Sequence, residues 1–170
     1  MTSLRTVAVV CALLLLVAVP ASAQQTIFVV RHAERADAGG GGMTTLATDP
    51  PLSVAGNERA ARLAAMLRSA DVRHIFSTEF VRTRQTAAPT AQALHLEVVA
   101  VPANDPGAVI AKARQARGNV LIVGHSNTVP DLLRRLGITG EITIGDTEFD
   151  NLFAVVRPAA GQPTLVRLRY

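Results

Sequence analysis

The chain predicts a single α/β domain, a three-layer α/β/α sandwich whose largely parallel sheet ends in an antiparallel edge. Three observations lead there. Ile27-Phe28-Val29-Val30 and Val120-Leu121-Ile122-Val123 are unbroken apolar, β-branched runs, as expected of strands covered on both faces. Strand-like and helix-like segments alternate from the first run to about residue 136, which calls for parallel strands joined by helical crossovers. The last two strand-like segments, Leu152 to Val156 and Thr164 to Arg169, are separated by Pro158 to Pro163, a connection that fits a hairpin.

Met1 to Ala23 carries Arg5, an apolar stretch from Val7 to Val19, then Pro20 and Ala21-Ser22-Ala23. That is the layout of a cleavable secretory signal, and the stretch is shorter than the roughly 20 apolar residues of a membrane span. An uncleaved anchor is the other reading of the pattern. Cleavage after Ala23 would leave one domain, Gln24 to Tyr170, with no cysteine, because Cys11 is the only one. Disulfides and thiol catalysis are then excluded. The chain is expected to be exported, with no stable membrane insertion after cleavage.

Behind the first strand, Ala36 to Pro51 holds Gly39-Gly40-Gly41-Gly42 and Pro50-Pro51, the composition of a mobile loop. Such a loop is placed to close over a ligand, or is a plain excursion. Ser53 offers an N-cap, and Leu63, Met66 and Leu67 give the apolar stripe of a helix ending near Ala70. Val72 to Phe76 reads as a strand, and Ser77-Thr78-Glu79 opens a second helix with Arg82 and Arg84. Leu96 to Val101 reads as a strand, Pro106 to Ala116 as a helix and Asn119 to Val123 as a strand. A helix with Leu132, Leu133 and Leu136 then stops at Gly137.

The formal charge is +4, with Lys112 the single lysine. Arginine's planar fork suits phosphate, although arginine in place of lysine also follows from genome composition. The arginines form no basic block and are not interleaved with aromatic residues, which argues against nucleic acid as a partner.

Each of the two buried strands delivers a histidine to its carboxyl end, in Arg31-His32-Ala33-Glu34 and in Gly124-His125-Ser126-Asn127. In an open α/β sheet ligands bind at that edge. A lone histidine after a strand is more often structural, but a repeated one accompanied by arginine suits an oxyanion, phosphate above all. Neutral imidazole near pH 7 makes His32 a candidate nucleophile. Arg31, Arg82 and His125 would form the electrostatic cradle, with Arg82 early in a helix whose N-terminus also favours an anion. His74 and His95 belong to no such arrangement and read as structural. Asp146 to Asn151 reads as a turn near the rim of the site. No close-spaced metal-ligand motif is present.

With these blocks in this order, the chain resembles the histidine phosphatase superfamily, the phosphoglycerate mutase-like group, in its short branch with the phosphohistidine phosphatases. Arg31-His32-Ala33-Glu34 is similar to the family's first motif, and Pro51-Leu52-Ser53 with Gly56 to the turn that starts its first long helix. The run from Ser77 to Ala87 is similar to its arginine block, and Gly124-His125-Ser126-Asn127 to its second-histidine motif. The resemblance implies a phosphoglycerate mutase-like fold, a phosphorylated nucleophile at His32, phosphate bound by Arg31, Arg82 and His125, and neither metal nor cofactor.

One departure stands out. Many members carry a carboxylate between the arginine block and the second histidine that protonates the leaving group, and here that interval is short. Asp105 is the nearest candidate, as proton donor or equally as the N-cap before Pro106. Glu34 and Glu79 fit salt-bridge or capping roles. A missing acid costs about 10²–10⁴-fold and favours phosphoramidates and good leaving groups. The expected function is therefore an exported, metal-independent phosphatase acting on a small phosphorylated substrate or a phosphoprotein. The alternatives are a non-catalytic phosphate- or phosphosugar-binding module of the same fold, and a phosphomutase.

Overall fold

The computed structural model describes residues 24–39 and 49–170. The expected signal, Met1 to Ala23, and the loop from Gly40 to Thr48 lie outside the described residues. Six strands form one mixed sheet: β1 (Gln25–Arg31), β2 (Val72–Ser77), β3 (Val98–Ala100), β4 (Asn119–Gly124), β5 (Asn151–Arg157) and β6 (Thr164–Arg169). Their order is β3-β2-β4-β1-β5-β6. The first four in that order run parallel, and β5 is antiparallel to both β1 and β6. Four α-helices are present among the described residues: α1 (Val54–Leu67), α2 (Val81–Leu94), α3 (Pro106–Gln115) and α4 (Val129–Arg135).

Alternation along the central strands sends side chains into two cores. Ile27 and Val29 of β1, Val120 and Ile122 of β4, and Phe153 and Val155 of β5 pack with Val109 and Ile110 of α3 and Leu132 and Leu133 of α4. The opposite face, with Val30, Leu121, Val123 and Leu152, packs on Leu63 and Leu67 of α1 and on Ala87 and Ala91 of α2. Burying each large apolar side chain is worth about 1.5–3 kcal/mol, and both faces of β1 and β4 contribute. These two strands are direct neighbours with Arg31 opposite Gly124, so the residues that follow them, His32 and His125, emerge side by side.

Local differences from the expected elements have physical causes. Ala36–Gly39 forms a 3₁₀ turn where the composition predicts only loop. The Ala36 N–H donates to the Pro51 carbonyl at 2.9 Å, and Arg35 bridges Leu52, so the two ends of the excursion are tied together. Met66, predicted in the apolar stripe of α1, is exposed; the buried stripe runs through Ala60, Leu63, Ala64 and Leu67. Helix α2 begins at Val81, not at Ser77 to Glu79, and Phe80 provides no side-chain cap. The Asp49 carboxylate accepts the Val81 N–H at 2.9 and 3.1 Å instead, a cap supplied from far back in the chain. Among the described residues no helix is long and apolar enough to cross a membrane.

Candidate active site

His32 is buried at the end of β1, where its backbone N–H donates to the Gly124 carbonyl at 2.9 Å. Its ring Nδ1 lies 2.8 Å from the Ala33 carbonyl oxygen. A carbonyl only accepts, so Nδ1 carries the proton and Nε2 keeps the lone pair. Nε2 has no partner among the described residues and is not enclosed, and His32 lines an open cleft of about 460 Å³. Burial pushes the His32 pKa down to about 4; the Ala33 hydrogen bond works against that shift, while His125, Arg82 and Arg31 add to it. At neutral pH the ring is an uncharged base with its free nitrogen in the cleft.

The backbone around His32 is held from several sides. The Ala33 N–H donates to Thr86 Oγ1 at 3.0 Å, and the Ser53 N–H donates to the Glu34 carbonyl at 2.9 Å. The Glu34 carboxylate accepts Arg59 Nε at 2.8 and 2.9 Å in a two-pronged ion pair. That pair holds the Glu34 carboxyl below the usual carboxylate range despite its partial burial. Glu34 is thus a structural anchor.

His125 faces His32 with ring centroids 5.3 Å apart at an interplanar angle of 66°. Burial, and next the Arg82 charge, push its pKa down to about 4. Phe80 packs edge-on against it, with 5.3 Å between centroids.

Three arginines complete the lining. Arg31 Nη1 donates to the carbonyls of Gly145, Asp146 and Glu148 at 3.0, 3.0 and 3.3 Å, and its guanidinium lies 4.0 Å from the Phe149 ring centroid. The segment expected as a turn near the rim therefore clamps Arg31. Arg82 stacks on Phe80 at 4.3 Å and reaches Asp49 at 3.3 Å. Arg35, not singled out from the sequence, also lines the cleft and pairs with Asp37. The Nε–H groups of Arg31 and Arg82 are buried with no acceptor. The remaining lining is neutral, including Asn104, Ser126 and Asn127, and no carboxylate lines the cleft among the described residues. Such a surface neutralises a dianion and offers no carboxylate to a metal; among the described residues no cluster of three metal-ligating side chains occurs.

The structure thus brings together Arg31, His32, Arg82 and His125. It does not bring Asp105 to them: its carboxylate accepts the Ala108 N–H at 2.9 Å as the N-cap of α3. Asp105 borders a small apolar cavity beside the cleft, not the cleft itself. Glu79 Oε2 accepts the Ala103 N–H at 2.8 Å. Phe80, Phe149 and Asp49 escaped the sequence reading because an aromatic support or a distant cap has no local signature.

Residues 27–103 match the histidine phosphatase superfamily (branch 1). No curated protein matches the chain. Among solved structures, the protein histidine phosphatase SixA complexed with tungstate aligns with a TM-score of 0.63 at 17% identity, covering 85% of this chain and 96% of that one. The alpha-ribazole phosphatase from Shigella flexneri aligns at 0.65 and 19%, covering 85% and 96%. Phosphoglycerate mutase from Bacillus anthracis str. Sterne aligns at 0.65 and 16%, covering 87% and 94%. At these identities the structural likeness speaks for the fold, while the matched segment contains the first histidine motif and the arginine block. Together with a second histidine delivered from the neighbouring strand, they support assigning the chain to the histidine phosphatase superfamily.

Proposed function

We propose that this protein is an exported, metal-independent phosphatase that hydrolyses a phosphomonoester or a phosphoramidate through a phosphohistidine at His32. One observation carries the reading. A neutral imidazole with Nδ1–H anchored on Ala33 presents its bare Nε2 to a cleft lined by His125 and three arginines, with no lining carboxylate among the described residues. The Nε2 lone pair forms the N–P bond as the bond from phosphorus to the leaving oxygen or nitrogen breaks, the electron pair departing with the leaving group. Arg31, Arg35, Arg82 and His125 face the charge on the other phosphoryl oxygens. Water then attacks phosphorus, releasing inorganic phosphate and restoring His32.

The leaving group sets the substrate class. With Asp105 capping α3, no carboxyl group lines the cleft among the described residues to protonate an alkoxide, and Gly40 to Thr48 contains none. Aryl phosphates, and phosphoramidates protonated on nitrogen from solvent, leave without such an acid. A phosphohistidine on a protein, or a small phosphoramidate, fits that chemistry best. Export rests on the signal-like layout of Met1 to Ala23.

The test is turnover of an aryl phosphate and a phosphoramidate by the purified protein with chelator present. Chelator-resistant hydrolysis that drops to background in a folded His32→Ala variant is the expected result; wild-type rates in that variant would sink the reading. The missing lining carboxylate also favours a second reading, a phosphate-binding module without turnover. Phosphate binding with no hydrolysis of either substrate would select it.

A further inference from the structure

The geometry points to Thr78 as a positioning residue that holds the His125 ring in one tautomer, with Nδ1 left open to the phosphoryl group; this rests on the reading of the cleft given above. Thr78 Oγ1 lies 3.0 Å from His125 Nε2 and 2.8 Å from Thr83 Oγ1, and all three residues are buried. The direction of these bonds follows from where the chain of hydroxyls ends. Thr83 Oγ1 lies 2.8 Å from the Phe80 carbonyl oxygen and 3.1 Å from that of Thr78, and carbonyl oxygens only accept.

The single hydroxyl proton of Thr83 is therefore committed to a carbonyl, and Thr83 Oγ1 meets Thr78 as an acceptor. Thr78 gives its own proton to Thr83 and has only lone pairs left for His125. The proton on that contact must come from the ring. Donation runs one way, from His125 Nε2–H to Thr78, from Thr78 to Thr83, and from Thr83 to the backbone. Neutral His125 then carries its lone pair on Nδ1, an atom with no partner among the described residues and not enclosed, on a ring that lines the cleft.

A bare Nδ1 faces an oxyanion badly until it takes up a proton. Burial first, and then Arg82 and Arg31, oppose that uptake, Glu79 and Asp49 favour it, and His32 stands across the cleft. A bound dianion tips the balance: Nδ1 is protonated and donates a charge-assisted bond to it, while Nε2–H stays on Thr78. Anion binding should thus be linked to uptake of one proton. Removing the Thr78 hydroxyl leaves a buried Nε2–H without an acceptor, and the ring loses its fixed orientation.

The experiment has three arms. ¹⁵N NMR of the wild type should show His125 protonated on Nε2 and bare on Nδ1. Affinity for inorganic sulfate, whose charge is constant in this range, should strengthen as pH falls from about 8 to about 6. Thr78→Val should lose most of that slope and about 10–100-fold in kcat on an aryl phosphate, an effect typical of lost orienting partners, and Thr78→Ser should restore both. A wild-type ring protonated on Nδ1, or a folded Thr78→Val with the wild-type sulfate slope and kcat, would overturn the assignment. Should Thr78→Val not fold, the wild-type spectrum and Thr78→Ser decide it. If the wild type hydrolyses nothing, the phosphatase reading fails while the NMR and sulfate arms still judge Thr78.

Discussion

His32 and His125 are both held neutral inside a ring of guanidinium groups, with pKa values pushed from 6.5 to about 4 and burial the leading cause for each. That has a sign for stability. Below about pH 6.5 the unfolded chain takes up protons at these positions, and the folded chain does so only near pH 4. The two histidines therefore contribute stability that is whole above pH 6.5 and is lost as pH falls towards 4. The urea midpoint should drop between about pH 7 and about pH 5, and His125→Gln should make the drop shallower, because one of the two titrations is gone. A midpoint that stays flat over this range in the wild type would show that neither ring is held neutral.

At the scale of elements, the site depends on how closely α1 can approach the chain after β1. A Cβ built on Gly56 would stand 2.2 Å from the Glu34 carbonyl oxygen, the same atom that accepts the Ser53 N–H. Gly56→Ala raises helix propensity by about 1 kcal/mol, but overpacking against backbone costs typically about 1–3 kcal/mol, and the clash should win. The variant should unfold at lower urea and lose turnover, since the displaced segment is the one that carries His32; a variant as stable and active as the wild type would show that α1 can simply slide away. This contact explains why the Pro51-Leu52-Ser53 turn with Gly56 belongs with the histidine motif: that segment seats α1 under it. The sheet strands and the cap at Ser53 were legible because a short stretch of sequence determines them. The start of α2 was not, because its cap, Asp49, lies far away in the chain. Asp105 shows the boundary well: its sequence context allowed two roles, and only the fold shows its carboxylate on Ala108.

Across the whole molecule, the arrangement of charge follows from the topology. The parallel strands β1 and β4 bring two histidine motifs together from opposite halves of the chain, and the segment before β5 closes on Arg31 from a third direction. The order of strands can be anticipated only in part, because pairing of β1 with β4 is a long-range choice, yet the carboxyl-end rule sufficed to bring both histidines to one edge. Meanwhile Asp49 and Asp37 pair with the cleft arginines Arg82 and Arg35 without lining the cleft, and other carboxylates are tied up away from it, Glu34 on Arg59, Asp131 on Arg134 and Arg135, and Glu148 and Asp150 on Arg169. With a formal charge of +4 and no lining carboxylate among the described residues, the cleft should draw in anions over a distance set by screening. Raising salt from about 10 mM to about 150 mM shortens that distance from about 30 Å to about 8 Å. The kcat/KM for a dianionic aryl phosphate should therefore fall several-fold over that range, whereas kcat should hardly change, because the bound phosphoryl group sits among buried charges that salt screens little. An unchanged kcat/KM would mean that capture depends only on contacts inside the cleft, and an equal fall in kcat would mean that salt disturbs the site itself.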